Sequence, residues 1–571
     1  MAVESDDVRI RKLEEAFSKD GYNITEHINK FGRLGVVAEH RTALNYDTGE
    51  KKRVYYLEGT HYEMGYLLGF LAEKQIQEMT VDFSNQVALS FIGSKNPGKM
   101  KFLGEALRGM LMSIVKPSFV SQPQGIKDEI RGIAEGCKER NPSTKVTINE
   151  LMVLNLGFDI ILAMVYTGTF LMTGALKLLP IDFKIPLMCN AFSIFGQLAG
   201  GGHYFGRDFM FPSVGVFHRT ATMLICNPAN ENGQSSYPFV SVTAPGIVGS
   251  ISAMNIKGSA IGVDMSPGFN CNPRNIGVNS LVLCRECIQH GADCEEIVRI
   301  VSDTRRGVTW NYIVSDGTQD RACVIEAGRT QKDHDELSVT PSENKPYMPN
   351  RAFIKQHQST KYHDGIMVRW NDYKYPSEYL DFNKKLWSYY NKKHSTNKTL
   401  YSDAFDSIGF INKNWNEKNC PSTFYFAPQR ENYDDLILVT NHFIIPEMQL
   451  YAMHPWTSKV LGMKINDIQW RYDALNSEIM QVLKEKGSIN YPSAKQLIDY
   501  LAPYGKYPSY YDKNPRSSDG KEICIEGCTS VFDLKNLFVE SHFGYYCDQW
   551  IKVTLPNYFD NINITGSSPK R

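Results

Sequence analysis

The stretch "KIPLMCNAFSIFGQLAGGGHYFGRDFMF", residues 184–211, places one cysteine, Cys189, in a β-like run just after a proline and a long apolar segment. A glycine-rich turn separates this run from a second one, "YFGRDFMF". Short β-rich runs with such punctuation between them predict antiparallel sheet. The question the stretch raises is chemical. Either Cys189 is one more buried thiol, or the chain is cut in front of it so that its sulfur can react.

Downstream the strand texture continues through "FHRTATMLICNP", "YPFVSVTAPG", "GSISAMN" and "SAIGVDM". "NSLVLCRECIQHGADCEEIVRIVSD" reads as one amphipathic helix, followed by paired strands "TWNYIVSDG" and "RACVIEAG". Residues 345–432, rich in Tyr, Trp, Asn and Lys, read as an insertion. "DLILVTNHF" resumes the strand pattern, "INDIQWRYDALNSEIMQVLKEKG" is helical, and "CTSVFDL" and "LFVESHFG" are closing strands. Upstream of the cysteine the pattern is mostly helical, although "KKRVYYLEGTHYEMGYLLGFLAEKQIQEM" reads as a strand, a glycine turn and then a helix. "DVRIRKLEEAFSKDG" has helical spacing with a stop at "DGYN", and Thr147 with Glu150 forms a capping-box pattern before "ELMVLNLGF". Helices, sheet, helices, sheet: the expected fold class is a layered α+β body.

With 571 residues the chain is long enough for several domains, yet it has no Gly/Ser or Pro-rich linker and no fixed-period repeat, so one large unit with insertions fits as well. Its 62 basic residues balance 62 acidic ones, which gives no electrostatic reason to expect a nucleic-acid partner. The start, "MAVESDDVRIRKLEEAF", lacks the apolar core of a signal peptide, and twelve irregularly spaced cysteines do not suggest a disulfide framework. A reducing, cytoplasmic location is the expectation. Ile160–Leu176 has seventeen uncharged residues, at the short limit for a membrane span, and reads first as a buried segment and second as a lipid-contacting surface.

The blocks "CNAFSIFGQLAGGGHYFGRDFMF", "SAMNIKGSAIGVDM", "WNYIVSDGTQDRACVIEAG", "LVTNHF" and "WRYDAL" together resemble the cysteine N-terminal-nucleophile (Ntn) hydrolases. Within that superfamily they are most similar to the acyl-coenzyme A:6-aminopenicillanate acyltransferase-like family, with choloylglycine hydrolases and acid ceramidase-type amidases as more distant relatives. "GTHYEMGYLLG", near residue 59, extends the resemblance, which runs in order to about residue 545. It implies a four-layer αββα sandwich. It also implies self-cleavage at Met188–Cys189, dividing the chain into a mainly helical 1–188 segment and a 189–571 catalytic core that stay together as an α/β heterodimer.

The chemistry implied is autocatalytic. The Cys189 sulfur would attack the Met188 carbonyl, and hydrolysis of the resulting thioester would free an α-amine on Cys189. An α-amino group ordinarily titrates at about 7.7–8.0, which lets it act as general base for its own thiol. The resemblance carries Arg207 onto the Gly-Arg strand that helps hold the nucleophile. It puts Met210 where choloylglycine hydrolases have an Asp, so Asp208 is the substitute orienting carboxylate. Asn441 matches an asparagine facing the active site, and Arg471 matches a helix-borne arginine. Asp264 stands where relatives carry an Asn. An ionised carboxylate opposes an oxyanion, so Asp264 is expected to bind the α-amine, with Asn255 or backbone N–H groups as oxyanion donors.

The function implied is an amidohydrolase or acyltransferase working through acyl-Cys189 on a small-molecule amide or thioester. The apolar run and the many aromatics point to an apolar or fatty acyl group. No cofactor is implied, although a CoA thioester is a possible substrate, and peripheral membrane contact through 160–176 goes with a lipid-like one. The alternatives are an Ntn-fold binding protein with impaired catalysis, an uncleaved precursor, or a papain-like Cys–His pair using His203, His218 or His442. Cys284, Cys287, His290 and Cys294 have spacing compatible with metal ligation, but helical spacing of this kind reads as core thiols, and no metal is expected.

Overall fold

The first sixty residues hold more strand than the helical reading of the N-terminal segment expects. A computed structural model describes residues 5–45, 48–84, 97–166, 188–210, 215–231, 233–266, 268, 271–330, 365–373, 433–445, 448, 466–500, 527–543 and 549–559. Helix α1 (Asp6–Lys19) stops at Asp20 and Gly21, whose φ of 91° suits glycine, as the "DGYN" signal predicts. Three strands follow: β1 (Tyr22–Lys30), β2 (Arg33–Leu44) and β3 (Lys51–Gly59). Alternating burial along β1 is the period-two signature of a strand with one covered face.

The helical part begins at α2 (His61–Leu71), where Thr60 and Glu63 form a capping box. It continues with α3 (Pro97–Val120), α4 (Gln124–Arg140) and α5 (Ile148–Tyr166). At the start of α5 the Glu150 N–H donates to Thr147 Oγ1 at 3.2 Å. Helices α2 and α4 meet backbone to backbone. A Cβ on Gly65 would lie 2.2 Å from the Glu129 carbonyl oxygen, and one on Gly136 would lie 2.1 Å from that of Tyr66. At the end of α5, Ile160, Ile161, Leu162, Ala163 and Met164 are all buried. That agrees with the first reading, a buried segment, for this part of the 160–176 run; 167–176 lie outside the described residues. Among the described residues no helix is long and apolar enough to cross a membrane.

Next come β4 (Met188–Phe195), β5 (His203–Met210), β6 (Thr222–Pro228), β7 (Phe239–Thr243), β8 (Ser252–Asn255) and β9 (Ser259–Met265). The expected single helix after them is two, α6 (Ser280–His290) and α7 (Cys294–Asp303). Gly291 ends the first, and the Asp293 side chain caps the second by accepting from the Glu296 N–H. Strands β10 (Trp310–Asp316), β11 (Arg321–Ala327) and β12 (Ile366–Trp370) follow. The last of these lies inside the 345–432 region, so part of the expected insertion is sheet; apart from 365–373 that region lies outside the described residues. Then come β13 (Leu436–Val439), α8 (Asn466–Lys486), α9 (Tyr491–Tyr500), β14 (Gly527–Asp533), β15 (Phe538–Phe543), β16 (Ile551–Thr554) and a short helix, Leu555–Phe559.

Among the described residues the strands form two sheets. One has the order β1-β2-β3-β6-β7-β8-β9-β10-β11-β12, and the other β13-β4-β5-β14-β15-β16. Every pairing is antiparallel except β3 with β6. Helix α6 packs on β7, β8 and β9, and α7 on β10 and β11, while α8 packs on β4 and β13 and α9 on β5 and β14. Between these helix layers the sheets face each other, β9 against β4 and β5, and β11 against β13. The molecule is thus α+β, with four layers in the order αββα. The parallel β3–β6 pairing places residues from both sides of position 188 in one sheet, so 1–188 does not form a separate body.

Candidate active site

Alternation along the β4–β5 hairpin sorts its residues into two environments. Cys189 stands opposite Phe209, Asn190 opposite Asp208, and Ala191 opposite Arg207. Cross-strand partners share a face, so Cys189, Arg207 and Phe209 look one way and Asn190 and Asp208 the other. The Arg207 face is the inner one. Its side chain runs against Gly262 of β9, where a Cβ would come within 2.9 Å of Arg207 Cδ. Only glycine gives the guanidinium this path between the sheets.

Cys189 is the second residue of β4 and is 2 % exposed. Its N–H donates to Asn441 Oδ1 at 2.7 Å, and Asn441 Nδ2 donates to the Met265 carbonyl at 2.8 Å. Asn441 lies just past β13, the neighbour of β4 in the second sheet, while Met265 ends β9 of the first. One amide therefore ties the cysteine nitrogen to both sheets. Arg207 Nη1 lies 3.6 Å from Asp264 Oδ1, both side chains being essentially fully buried. That is longer than a hydrogen bond but still an ion pair. Arg207 also donates to the backbone carbonyl of Asp208 and stacks its guanidinium 5.4 Å from the Phe209 ring centroid. Burial alone would weaken its charge, but Asp264, then Cys189 and Asp208, outweigh this and hold it above the usual arginine range.

The structure thus brings Cys189, Arg207, Asp264 and Asn441 together. Asp208 goes elsewhere. Its carboxylate lies on the opposite face of the sheet, accepting from Asn190 Nδ2 at 3.4 Å and Thr529 Oγ1 at 3.3 Å. The expectation that it orients the nucleophile is corrected by this strand parity. Asn255 is also placed outside the site. Its Nδ2 donates to the carbonyls of Ile288 and Gly291 at the end of α6, and its Oδ1 accepts from the N–H groups of Lys257 and Ser259. With its amide committed to a turn on the outer side of the first sheet, it does not serve an oxyanion. The Met188 backbone is part of β4 and pairs with Met210. Arg471 lies on α8, but the side chains of Met188 and Arg471 lie outside the described residues.

Of the histidines considered for a thiol–imidazole pair, His203 and His442 contact other side chains. His203 faces Phe195 at the far end of the hairpin, about 20 Å along the strand from Cys189, where it contacts Ser193 Oγ and Asp320. His218 lies on a short helical turn at 217–220, and His442 Nδ1 contacts Thr440 Oγ1 at 2.9 Å. Cys284 and Cys287 are buried on α6 with their thiols pushed up by burial, whereas Cys294 starts the next helix.

An apolar cavity of about 70 Å³ opens beside the hairpin, lined by Phe83, Leu111, Phe158, Phe209, Phe217 and Ile251 among others. Phe209 is the cross-strand neighbour of Cys189, so the cavity wall and the sulfur share one sheet face. Sequence reasoning missed Gly262, Asn311 and Glu326, which shape or brace this region. The available signal was the isolated Asn and Glu in the apolar runs "WNYIVSD" and "CVIEA".

No family model matches the chain. It is 29 % identical over 511 residues to an uncharacterized protein of Archaeoglobus fulgidus, covering 88 % of this chain and 66 % of that one. The chain thus spans a little under two thirds of that relative's length. Among solved structures it is similar to a variant of the conjugated bile acid hydrolase from Clostridium perfringens, with TM-score 0.32 and 11 % identity over 66 % of this chain and 95 % of that one. A second is the Caenorhabditis elegans ortholog of N-acylethanolamine-hydrolyzing acid amidase, with TM-score 0.28 and 11 % identity over 61 % and 93 %.

Proposed function

We propose that the protein is an autoprocessed amide hydrolase or acyltransferase whose nucleophile is Cys189, of the acyltransferase-like type that its motifs resemble. The observation that carries this is the 2.7 Å hydrogen bond from the Cys189 N–H to Asn441, beside the buried Arg207–Asp264 pair. That nitrogen is the atom a cut at Met188–Cys189 converts from amide to amine. In the reaction, the Cys189 sulfur attacks the Met188 carbonyl and the peptide N–C bond breaks, leaving a thioester and a free α-amine. Water then hydrolyses the thioester to a Met188 carboxylate and the thiol. Asn441 holds the amine, Asp264 supplies a negative charge beside Arg207 between the sheets, and the amine takes the thiol proton when the next carbonyl is attacked. The acyl-Cys189 so formed goes to water or to an amine acceptor.

The cavity beside Phe209 supports an apolar acyl group, from an amide or a thioester such as an acyl-CoA, with no cofactor in the chemistry. The test is the denaturing intact mass of freshly purified protein beside Cys189→Ala. Fragments 1–188 and 189–571 in the wild type alone fit this reading. A second reading, a binding relative that has lost the chemistry, is favoured by Asp264, a carboxylate on the face where an oxyanion needs donors. An uncleaved, amidase-inactive wild type would support it.

A further inference from the structure

The inner face of the first sheet carries a polar row extending beyond the Arg207–Asp264 pair. Asp264, Asn311 and Glu326 stand opposite one another on β9, β10 and β11 and are fully buried. Asp264 meets Arg207, and the other two reach across to residues 440–445, the segment that contains Asn441. Asn311 Nδ2 donates to the carbonyls of Thr440 at 3.0 Å and His442 at 2.9 Å, one on each side of Asn441. The Glu326 carboxylate accepts the Ile444 N–H at 3.1 Å on each oxygen and the Ile445 N–H at 3.0 Å. Arg369 of β12 completes the arrangement, with Nε 3.4 Å from Glu326 Oε1 and Nη2 donating to the Leu438 carbonyl at 2.6 Å.

We propose that Glu326 is a positioning residue for Cys189, clamping the 440–445 segment so that the Asn441 oxygen stays on the Cys189 nitrogen. The catalytic consequence rests on the reading of Cys189 as nucleophile; the clamp itself does not. In its ionised form a carboxylate suits the task because it is acceptor-only, with enough lone pairs for two backbone N–H groups and a guanidinium at once. A glutamine of the same shape would turn an N–H₂ group toward those donors and lose acceptors where three donors converge. The clamp holds backbone atoms three and four residues beyond Asn441, while Asn311 holds the carbonyls immediately flanking it. The amide plane of Asn441 is therefore fixed from both sides. None of these contacts involves the sulfur, so the effect on Cys189 passes through Asn441.

The test uses the full chain in a Cys189→Ala background, which retains the residue-189 N–H and cannot cut itself. Hydrogen exchange is followed in peptides covering 188–195, 436–445 and the β14–β15 hairpin, with and without Glu326→Gln. Loss of charged hydrogen bonds should speed exchange about tenfold or more at 440–445 and at residue 189, leaving the hairpin unchanged. Glu326→Asp, one methylene shorter but charged, should recover part of that protection. If 440–445 loosens while residue 189 stays protected, or if neither moves, the proposal is overturned. Should Glu326→Gln not fold, Glu326→Asp is compared with its parent directly. A smaller change at both places supports the clamp, and no change overturns it. In the Cys189-containing chain, self-cleavage should slow by about tenfold or more with Gln and recover partly with Asp. A wild type that never cuts itself would defeat the functional reading, while the exchange result would still decide the clamp.

Discussion

Arg207 and Asp208 are neighbours in the chain and belong to two different chemical settings. Arg207 points between the sheets, against Gly262, Asp264 and the thiol of Cys189. Asp208 points toward the helix layer of α8 and α9, among Asn190 and Thr529, with neutral hydrogen-bond donors around it. One residue step along a strand separates a charge placed beside a candidate nucleophile from a charge absorbed into polar packing. Proximity in sequence therefore says little about membership of this site; strand parity decides it.

The comparison breaks most visibly if the inner face proves dispensable. Arg207→Met should lower self-cleavage or turnover per folded molecule by about a thousandfold or more, as expected when a fixed charge at a reacting centre is lost. It should also destabilise the fold by about 3–5 kcal/mol, because Asp264 remains buried without its cation. Urea unfolding and cleavage kinetics on the same preparation separate the two effects. An active Arg207→Met protein would remove the inner face from the chemistry.

A carboxyl on the outer side of the first sheet sharpens the contrast, because hydroxyl and amide donors take the place of a cation. Asp159 accepts from the backbone N–H and the hydroxyl of Ser280, both at 2.8 Å, and burial pushes it up to about 6 against these hydrogen bonds. Its folded pKa lies above the unfolded value near 3.9, so the folded state binds more protons between the two. This group's contribution to stability is therefore greatest below about pH 4 and declines as pH rises to about 6, by about 3 kcal/mol in all. Glu326, pushed by burial up to about 7, acts in the same direction. Asp159→Asn should flatten the pH dependence of urea midpoints across that window, and an unchanged slope would contradict the assignment.

A subtler probe is Gly262→Ala, whose methyl would crowd Arg207 from the facing sheet. Displacement of the guanidinium should reduce cleavage by about tenfold and stability by about 1–3 kcal/mol, within the usual range for overpacking. The smallest effect belongs to Asp208→Asn, which keeps one oxygen for the Asn190 amide while the Thr529 hydroxyl can turn to accept from the new N–H₂. Cleavage rate should stay within about twofold and stability within about 1 kcal/mol. A fall comparable to that of Arg207→Met would mean that the two faces are coupled after all.

The layered α+β architecture was legible because its strands are short, apolar and punctuated by glycine and asparagine, from "CNAFSIF" to "LFVESHF". Two N-terminal strands were harder to see, whereas "KKRVYYLEG" reads as a strand ahead of its glycine turn. "YNITEHINK", at the sheet edge, and "RLGVVAEHRTAL" beside it mix charges with apolar letters, and half-exposed strands carry a weaker pattern than core strands. The break between α6 and α7 hid because Gly291 is a single tolerated letter inside a strong helical period. Motif resemblance pointed to Cys189, Arg207, Asp264 and Asn441, which the fold places near one another, but it assigned Asp208 and Asn255 from their sequence neighbourhoods. Their actual places depend on which face of a strand looks inward and on where a turn meets a distant helix, and no local pattern encodes either. Glu326 and Asn311 act across the gap between sheets, on a segment more than a hundred residues away.

The parallel pairing of Val54–Gly59 with Met223–Pro228 gives any cut at Met188–Cys189 a kinetic consequence. An uncut chain refolds by a first-order process, since both strands belong to one molecule. Once cut, the same seam joins two polypeptides, and after full unfolding its recovery becomes a second-order encounter governed by mass action. A cut sample heated and cooled should regain structure more slowly the more dilute it is, while Cys189→Ala should recover at a rate independent of concentration. Cleavage would then act as a ratchet on folding, in which the chain assembles once as a single molecule and thereafter depends on never coming fully apart.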